Sequence, residues 1–244
     1  MRILLTDGTA RDVSNLIEVL DCCVFPKADR RITNNLVVGV SLGAHAAWNI
    51  IMHEPRVKTG IIVVGCPDYV NLMADRARLS KLDSWTRSDP PGSEFLGSAE
   101  FPHALVELTK RYDPAGLLFS QLNEPSLAGP VHNGPVREPT EDEKRALRPI
   151  LQRTLAGKRL LNLAGGADKL VPYHRGEPFL TWIKKAIGPH GWFADGKISL
   201  DDRQFEGVGH EVTPPMVDAA IQFIGETLAR GDDATDDRNR ASHL

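Results

Sequence analysis

The hydrophobic pattern of the chain alternates between short apolar runs and segments with helical spacing. The runs at 36–40, 60–64 and 160–164 are bounded by polar, Gly or Pro residues and have the length of buried strands. Strands that alternate with helices predict an α/β protein whose sheet is mainly parallel. The remaining predicted elements are helices at 10–21, from about Ala44 to before Pro55, from Thr140 to about Leu155, at 178–187 and at 214–229, a strand at 197–205 and at most one short strand at 3–6.

The segment 68–157 differs from the rest of the chain in its proline content and in the length of its helical stretches. Eight of the seventeen prolines fall within 90–139, and the helical stretches there are short and separated by loops. We therefore expect one domain over 1–230, with a helical, Pro-rich cap inserted at 68–157. The polar tail at 231–244 is too poor in apolar residues to bury anything, and disorder is predicted for it.

Composition narrows the possible partners. The 244 residues are 41% hydrophobic and 25% charged, with a formal net charge of −3 and no dense Lys/Arg run, so nothing favours a nucleic acid or a membrane as partner. The N-terminus lacks a secretory pattern, and the cytoplasm is the expected location. Cys22, Cys23 and Cys66 have neither metal-site nor disulfide-framework spacing. We expect all three to be reduced and buried, and no metal or cofactor is implied.

The segment from Gly39 to Gly43 reads Gly-Val-Ser-Leu-Gly and lies between a predicted strand and a predicted helix. A serine nucleophile held on a sharp strand-to-helix turn sits in a strained backbone, and we expect both glycines to be required because a Cβ atom beside it would collide. The turn lifts the Ser41 oxygen clear of the sheet. The helix N-terminus that follows favours developing negative charge.

A serine hydroxyl needs a base, and the base needs an orienting carboxylate. On a strand–turn–helix scaffold the chain order is serine, acid, histidine, with the last two on loops at the ends of later strands. Asp168 follows the strand at 160–164, and His210 follows the last predicted strand, each in a Gly-rich loop. Asp68 is the main rival for the acid, and His174 is a weaker rival for the base.

These motifs resemble the α/β-hydrolase superfamily. The phrases around Ser41, Asp168 and His210 are similar to a fungal group of uncharacterised esterase-like or peptidase-like hydrolases, and the resemblance extends over about 8–228. It implies Ser41 as the nucleophile, His210 as general base and then general acid, and Asp168 as the carboxylate that orients the histidine.

The chain departs from that superfamily before the serine. Four strands and two helices normally precede the nucleophile strand and need about 74 residues at typical lengths, whereas 35 residues precede Leu36. We therefore expect an N-terminally shortened α/β-hydrolase fold. The oxyanion hole normally combines the N–H after the nucleophile, here that of Leu42, with an N–H from the loop after the third strand, which has no evident source here.

Three explanations of this shortening stay open. A homodimer or partner chain completes the exposed sheet edge, another loop supplies the second oxyanion donor, or the chain is a truncated product with weak or no activity.

The expected function is a serine hydrolase that forms an acyl-enzyme on Ser41 with an ester, lactone or thioester of a small organic molecule admitted under the cap. One alternative is an isomerase, lyase or cyclase of a fungal biosynthetic pathway on the same scaffold. Another is an inactive or binding remnant of a hydrolase. Four cap aromatics line either the substrate pocket or the core of the cap itself: Trp85, Phe95, Phe101 and Phe119.

Overall fold

The computed structural model describes residues 2–124, 127, 129–132 and 134–241. Helices and strands alternate through most of the chain. In chain order the elements are α1 (Arg2–Val24), β1 (Asn35–Val40), α2 (Leu42–His53), β2 (Val57–Val63), α3 (Tyr69–Leu79), α4 (Asp83–Thr86), α5 (His103–Tyr112), α6 (Pro114–Phe119), α7 (Glu141–Thr154), β3 (Arg159–Gly165), α8 (Tyr173–Ile187), a 3₁₀ turn (Ala194–Gly196), β4 (Ser199–Phe205) and α9 (Pro214–Ala241).

The four strands form one parallel sheet in the order β1-β2-β3-β4. Consecutive strands are neighbours, and each connection between them contains helix, as parallel pairing requires. The predicted α/β class with a parallel sheet is confirmed. Because all four strands run the same way, the loops that leave them meet at one end of the sheet.

One face of this sheet is covered by α1, α2, α7 and α8. The largest core cluster lies here, with Ile62 and Leu160 of the strands against Trp48 of α2, Leu147 of α7 and Phe179 of α8. Helix α7 begins with a capping box in which Thr140 and Glu143 satisfy each other's backbone donors. Its apolar stripe contributes to the same core, although it belongs to the segment predicted as a cap.

The opposite face is covered over only part of its width. Helix α9 buries Ile61 of β2 and Leu161 of β3 under Met216 and Phe223. On β1, by contrast, alternate apolar side chains of this face are exposed: Leu36, Val38 and Val40. The apolar side chains on the open face of β1 therefore remain in contact with solvent.

The N-terminal segment corrects two expectations. Residues 3–6 belong to α1 and not to a strand, because a helix satisfies its backbone polar groups internally whereas a strand needs a neighbour. Cys66 is buried as expected, but Cys22 and Cys23 are exposed. The cause is that α1 packs on the core through residues such as Val13, which turns the two cysteines towards solvent.

The insertion between β2 and β3 has a core of its own. Trp85, Phe95 and Phe101 pack together with Tyr69 and neighbouring residues of α3. At the other end of the chain, the backbone of α9 is helical to Ala241, so helix extends into the range 231–244 for which disorder is expected. Each added helical residue gains a backbone hydrogen bond, so a polar segment can continue a helix already begun. The division into domain, cap and tail stays a prediction.

Candidate active site

Ser41 occupies the sharp turn between β1 and α2. Its backbone has φ 54° and ψ −115°, a left-handed φ that is uncommon for a residue with a side chain. The Ser41 N–H donates to the carbonyl of Val63 at 2.9 Å, which ties the turn to the end of β2. The predicted placement of Ser41 on a strained strand-to-helix turn is thus what the structure has.

The two glycines around Ser41 are not equivalent. A Cβ atom on Gly39 would lie 2.2 Å from the carbonyl oxygen of Gly43 and 2.7 Å from Cβ of Ala47, a collision that nothing flexible can relieve. A Cβ atom on Gly43 would meet nothing within 4 Å. The expectation that both glycines are required is therefore wrong for Gly43, because the helix turns the Cα–H of that residue towards open space.

Ser41, His210 and Asp168 form one hydrogen-bonded chain. The Oγ atom of Ser41 lies 2.7 Å from Nε2 of His210. On the other side of the ring, Nδ1 of His210 lies 2.7 Å from Oδ2 of Asp168. A carboxylate only accepts, so Nδ1 carries the proton and Nε2 is left to accept from the serine hydroxyl. The three residues that the sequence singled out are brought together in the order serine, histidine, acid.

The acid is held by its own loop. The Asp168 side chain is fully buried, and its Oδ1 accepts from the N–H groups of Leu170 at 2.8 Å and Val171 at 2.9 Å. Oδ2 is therefore the oxygen available to the histidine. These bonds hold the carboxylate independently of His210, as the orientation of an imidazole requires.

The loops that carry Asp168 and His210 touch backbone to backbone. A Cβ atom on Gly165 would lie 2.4 Å from the carbonyl oxygen of Gly209 and 2.6 Å from that of Val208. The N–H of Ala167 also donates to the Val208 carbonyl at 2.8 Å. Glycine at 165 allows this approach, and the approach sets the distance between acid and base.

Leu42 begins α2 directly after the serine. Its N–H belongs to the first turn of the helix, whose amide groups lack an acceptor within the helix. A helix N-terminus favours negative charge, so this amide is the candidate oxyanion donor. No second donor is identified among the described residues.

The rival acid and base lie elsewhere. Asp68 caps the N-terminus of α3, where its Oδ1 accepts from the N–H of Asn71 at 3.0 Å. Its Oδ2 lies 2.6 Å from Nε2 of His132, so Asp68 is bonded to a different histidine from the one beside Ser41. His132 was not singled out from sequence, because it is 64 positions from its partner and lies in a loop. Burial lowers the pKa of His174, the other rival, and the histidine bonded to both Ser41 and Asp168 is His210.

The insertion holds a cavity of about 330 Å³ lined by Asp68, Phe119 and His132 among others. None of Ser41, Asp168 and His210 lines it. Of the four cap aromatics, Phe119 lines this cavity and also packs on Trp182 of α8, whereas the other three form the core of the insertion.

Metal-binding clusters and membrane-spanning helices are both absent from the described part of the chain. It contains no group of three or more His, Cys, Asp or Glu side chains arranged to hold a metal ion. None of its helices is both long and apolar enough to cross a membrane.

Comparison with known proteins gives distant structural likeness. Neither a protein-family model nor a curated protein matches the sequence. A variant of SOBER1 from Arabidopsis thaliana is 11% identical with a TM-score of 0.42, over 91% of this chain and 65% of that one. Acyl-protein thioesterase 2 from Zea mays is 14% identical with a TM-score of 0.42, over 91% and 64%. Puromycin hydrolase is 16% identical with a TM-score of 0.46, over 83% and 22%.

The chain spans less than two thirds of the length of each of these structures. The chain's own structure has the arrangement of the α/β-hydrolase fold. It combines a parallel sheet, a serine on a strand–turn–helix, and an acid and a histidine that follow later strands. The fungal grouping stays a prediction.

Proposed function

We propose that the chain is a serine hydrolase that forms an acyl-enzyme on Ser41 with an ester, lactone or thioester of a small organic molecule. The observation that supports this most is the continuous contact from Ser41 through His210 to Asp168, with both bonds at 2.7 Å. Such contacts are the geometric requirement for activating a serine at neutral pH.

In the first half of the proposed reaction, Ser41 Oγ attacks the substrate carbonyl while its proton passes to Nε2 of His210. Asp168 stabilises the imidazolium that results and keeps the ring oriented. The oxyanion of the tetrahedral intermediate accepts from the Leu42 N–H. The intermediate collapses, the bond to the leaving alcohol or thiol breaks, and Nε2 returns the proton to it.

In the second half, water replaces the leaving group. His210 removes a proton from the water, the resulting hydroxide attacks the acyl carbon, and Ser41 leaves with the proton returned by Nε2. The products are the carboxylic acid and the free enzyme, and the pathway requires no metal or cofactor. One oxyanion donor in place of two lowers the expected rate by about 100-fold to 1000-fold.

The test is labelling by a fluorophosphonate probe, which reacts with activated serines. We expect the purified chain to be labelled and Ser41→Ala to be unlabelled. Equal labelling of both, or of neither, contradicts the proposal. Turnover of a lactone in ¹⁸O-water separates hydrolysis from isomerase or lyase chemistry, because hydrolysis places the label in the product acid.

We also propose that a second copy of the chain pairs along the free edge of β1. Among the described residues this strand is hydrogen-bonded to β2 on one side only, and unpaired edges are ready to pair. Antiparallel pairing of β1 with its copy around a two-fold axis would join two four-stranded sheets. The expected result is a dimer by sedimentation velocity that Val38→Lys weakens and the matched surface variant Leu79→Lys does not. A monomer at all concentrations contradicts it.

The cytoplasmic location and the absence of a nucleic acid or membrane partner stay predictions from composition.

A further inference from the structure

The loops of the triad carry exposed apolar side chains. Leu42 follows Ser41 by one residue and is 43% exposed. Leu170 follows Asp168 by two residues and is 58% exposed, and Val212 follows His210 by two residues and is 44% exposed. A single exposed leucine or valine is ordinary on a protein surface, but here each triad residue has one within two positions.

These three side chains, which we call the apolar rim, come from separate parts of the chain. Leu42 is on α2, Leu170 lies between β3 and α8, and Val212 lies between β4 and α9. Because the triad side chains contact one another at 2.7 Å, their loops converge, and the apolar rim lies on the loops that carry the serine, the acid and the histidine. Apolar surface gathered around a reactive group is typical of a ligand site.

Two cavities are formed by residues outside the triad. The cavity in the insertion is lined by Phe119 and His132, and another cavity, of about 360 Å³, is lined by Trp182 and Trp192. Neither is lined by a triad residue. Of these two cavities neither is formed by a triad loop, so the apolar rim is the apolar surface that the triad loops themselves provide.

The charged residues of the same loops do not offer a matched site for a polar acyl group. Lys169 precedes Leu170 and Glu211 precedes Val212, and both are exposed. One positive and one negative charge in alternation with apolar side chains give no net attraction for an anion or a cation. The remaining common feature of the three loops is their apolar surface.

We infer that the substrate of the proposed hydrolase carries a linear, apolar acyl chain of several carbons, which lies across the apolar rim when its carbonyl reaches Ser41. The inference rests on the proposed function and adds the substrate class to it. Removing an apolar chain from water favours binding by an amount that grows with each methylene placed in contact, about fourfold for each one fully buried.

The test compares nitrophenyl acetate with nitrophenyl octanoate, the latter below its micelle concentration. We expect kcat/KM to be at least about tenfold higher for octanoate, since only a few of its methylenes need contact the apolar rim. Val212→Ser removes one apolar side chain without touching the triad bonds, and we expect it to lower the octanoate-to-acetate ratio at least threefold. Leu170→Gln should lower the same ratio. Leu79→Ser, an exposed leucine on α3, should leave it unchanged.

The outcomes are distinguishable. Ser41-dependent hydrolysis of both esters with a ratio near one, unchanged in Val212→Ser and Leu170→Gln, overturns the acyl-chain inference and leaves the hydrolase proposal standing. Absence of Ser41-dependent turnover of every ester overturns the proposed function, and the inference with it. A folded Leu79→Ser that loses the preference as Val212→Ser does would also contradict the assignment to the apolar rim.

Discussion

The carboxyl end of the sheet and the open face of β1 differ in how completely they are built. At the carboxyl end, the side chain of Asp168 accepts from two backbone N–H groups and from His210, and Ser41 is in contact with the same histidine. On β1, Val38 is 55% exposed although its register partner Ile61 on β2 is fully buried under α9. The side chains of Ser41, His210 and Asp168 find their hydrogen-bond partners within the chain. The apolar face of β1, by contrast, is left uncovered by the described residues.

The two edges of the sheet sharpen this contrast. On the same face as Val38, the far strand β4 carries Asp201 and Arg203, an ion pair at 2.6 Å. Charged side chains on an edge strand discourage pairing with another chain, and apolar ones do not. The β4 edge is therefore suited to contact with water and the β1 edge to contact with another chain. Substitutions at the candidate active site should alter the rate of hydrolysis, whereas substitutions on β1 should alter the self-association of the chain.

The largest expected effect lies at the site. Asp168→Asn removes the charge that orients His210, and we expect kcat/KM for nitrophenyl ester hydrolysis to fall about 10⁴-fold. The matched control is Asp68→Asn, since Asp68 is bonded to His132 and should change the rate less than tenfold. If Asp68→Asn were the more damaging of the two, the acid would be misassigned.

A matched pair of glycine variants tests the turn beneath the nucleophile. Gly39→Ala places Cβ 2.2 Å from a backbone oxygen, so we expect a loss of at least about 3 kcal/mol in the free energy of unfolding. Gly43→Ala meets nothing within 4 Å and lies in a helix, so it should be neutral or stabilise by about 0.5 to 1 kcal/mol. Urea unfolding measures both, and similar losses in the two variants would show that the turn is wrongly described.

Truncation of paired residues on one face tests the unequal cover of the sheet. Ile61→Ala leaves a cavity under α9 and should cost about 3 kcal/mol. Val38→Ala, opposite it on β1, should cost less than about 1 kcal/mol when the chain is dilute, because solvent already reaches that side chain. An equally large cost at Val38 in dilute solution would mean that something in the chain itself covers β1.

The smallest expected effect concerns the attachment of α1. Arg56 donates to both oxygens of Glu54 and to the Ser14 carbonyl of α1, and its hydrogen bonds lower the pKa of the Glu54 carboxyl to about 2 from an ordinary 4.5. A depressed carboxyl pKa stabilises the fold above pH 4.5, and this contribution is lost as the pH falls towards 2.

We therefore expect Glu54→Gln to lower the free energy of unfolding by about 1 to 2 kcal/mol at pH 7, and the difference from the unmodified chain to shrink below pH 4. Urea unfolding at several pH values measures this. A difference that stays constant between pH 7 and pH 3 would contradict a role for the ionised carboxyl.

The sequence predicted the elements whose pattern is local. The strand before Ser41 and the helix after it follow from five residues and their flanks, and the order of Asp168 and His210 follows from strand-end loops. Residues 3–6 were misassigned because a short apolar run does not distinguish a strand from a helix. The exposure of Cys22 depends on which side of α1 meets α2, a tertiary contact that composition does not reveal.

At the candidate active site, contacts between residues that are far apart along the chain could not be predicted from the sequence. The bond between Asp68 and His132 joins the N-cap of α3 to a loop 64 positions later, and no motif marks it. The freedom of Gly43 and the constraint on Gly39 depend on how α2 packs over β1, although both glycines match the same motif. The local sequence pattern therefore predicted the three triad residues. It did not predict which of the glycines beside Ser41 is required.

The most direct test of the central claim is the intact mass of the chain at short times after mixing with nitrophenyl acetate. We predict a transient acetyl adduct on Ser41 of the unmodified chain, which accumulates before the steady state is reached. The adduct should be absent from Ser41→Ala. Nitrophenol release without any adduct on Ser41, or at the same rate from Ser41→Ala, would contradict the account.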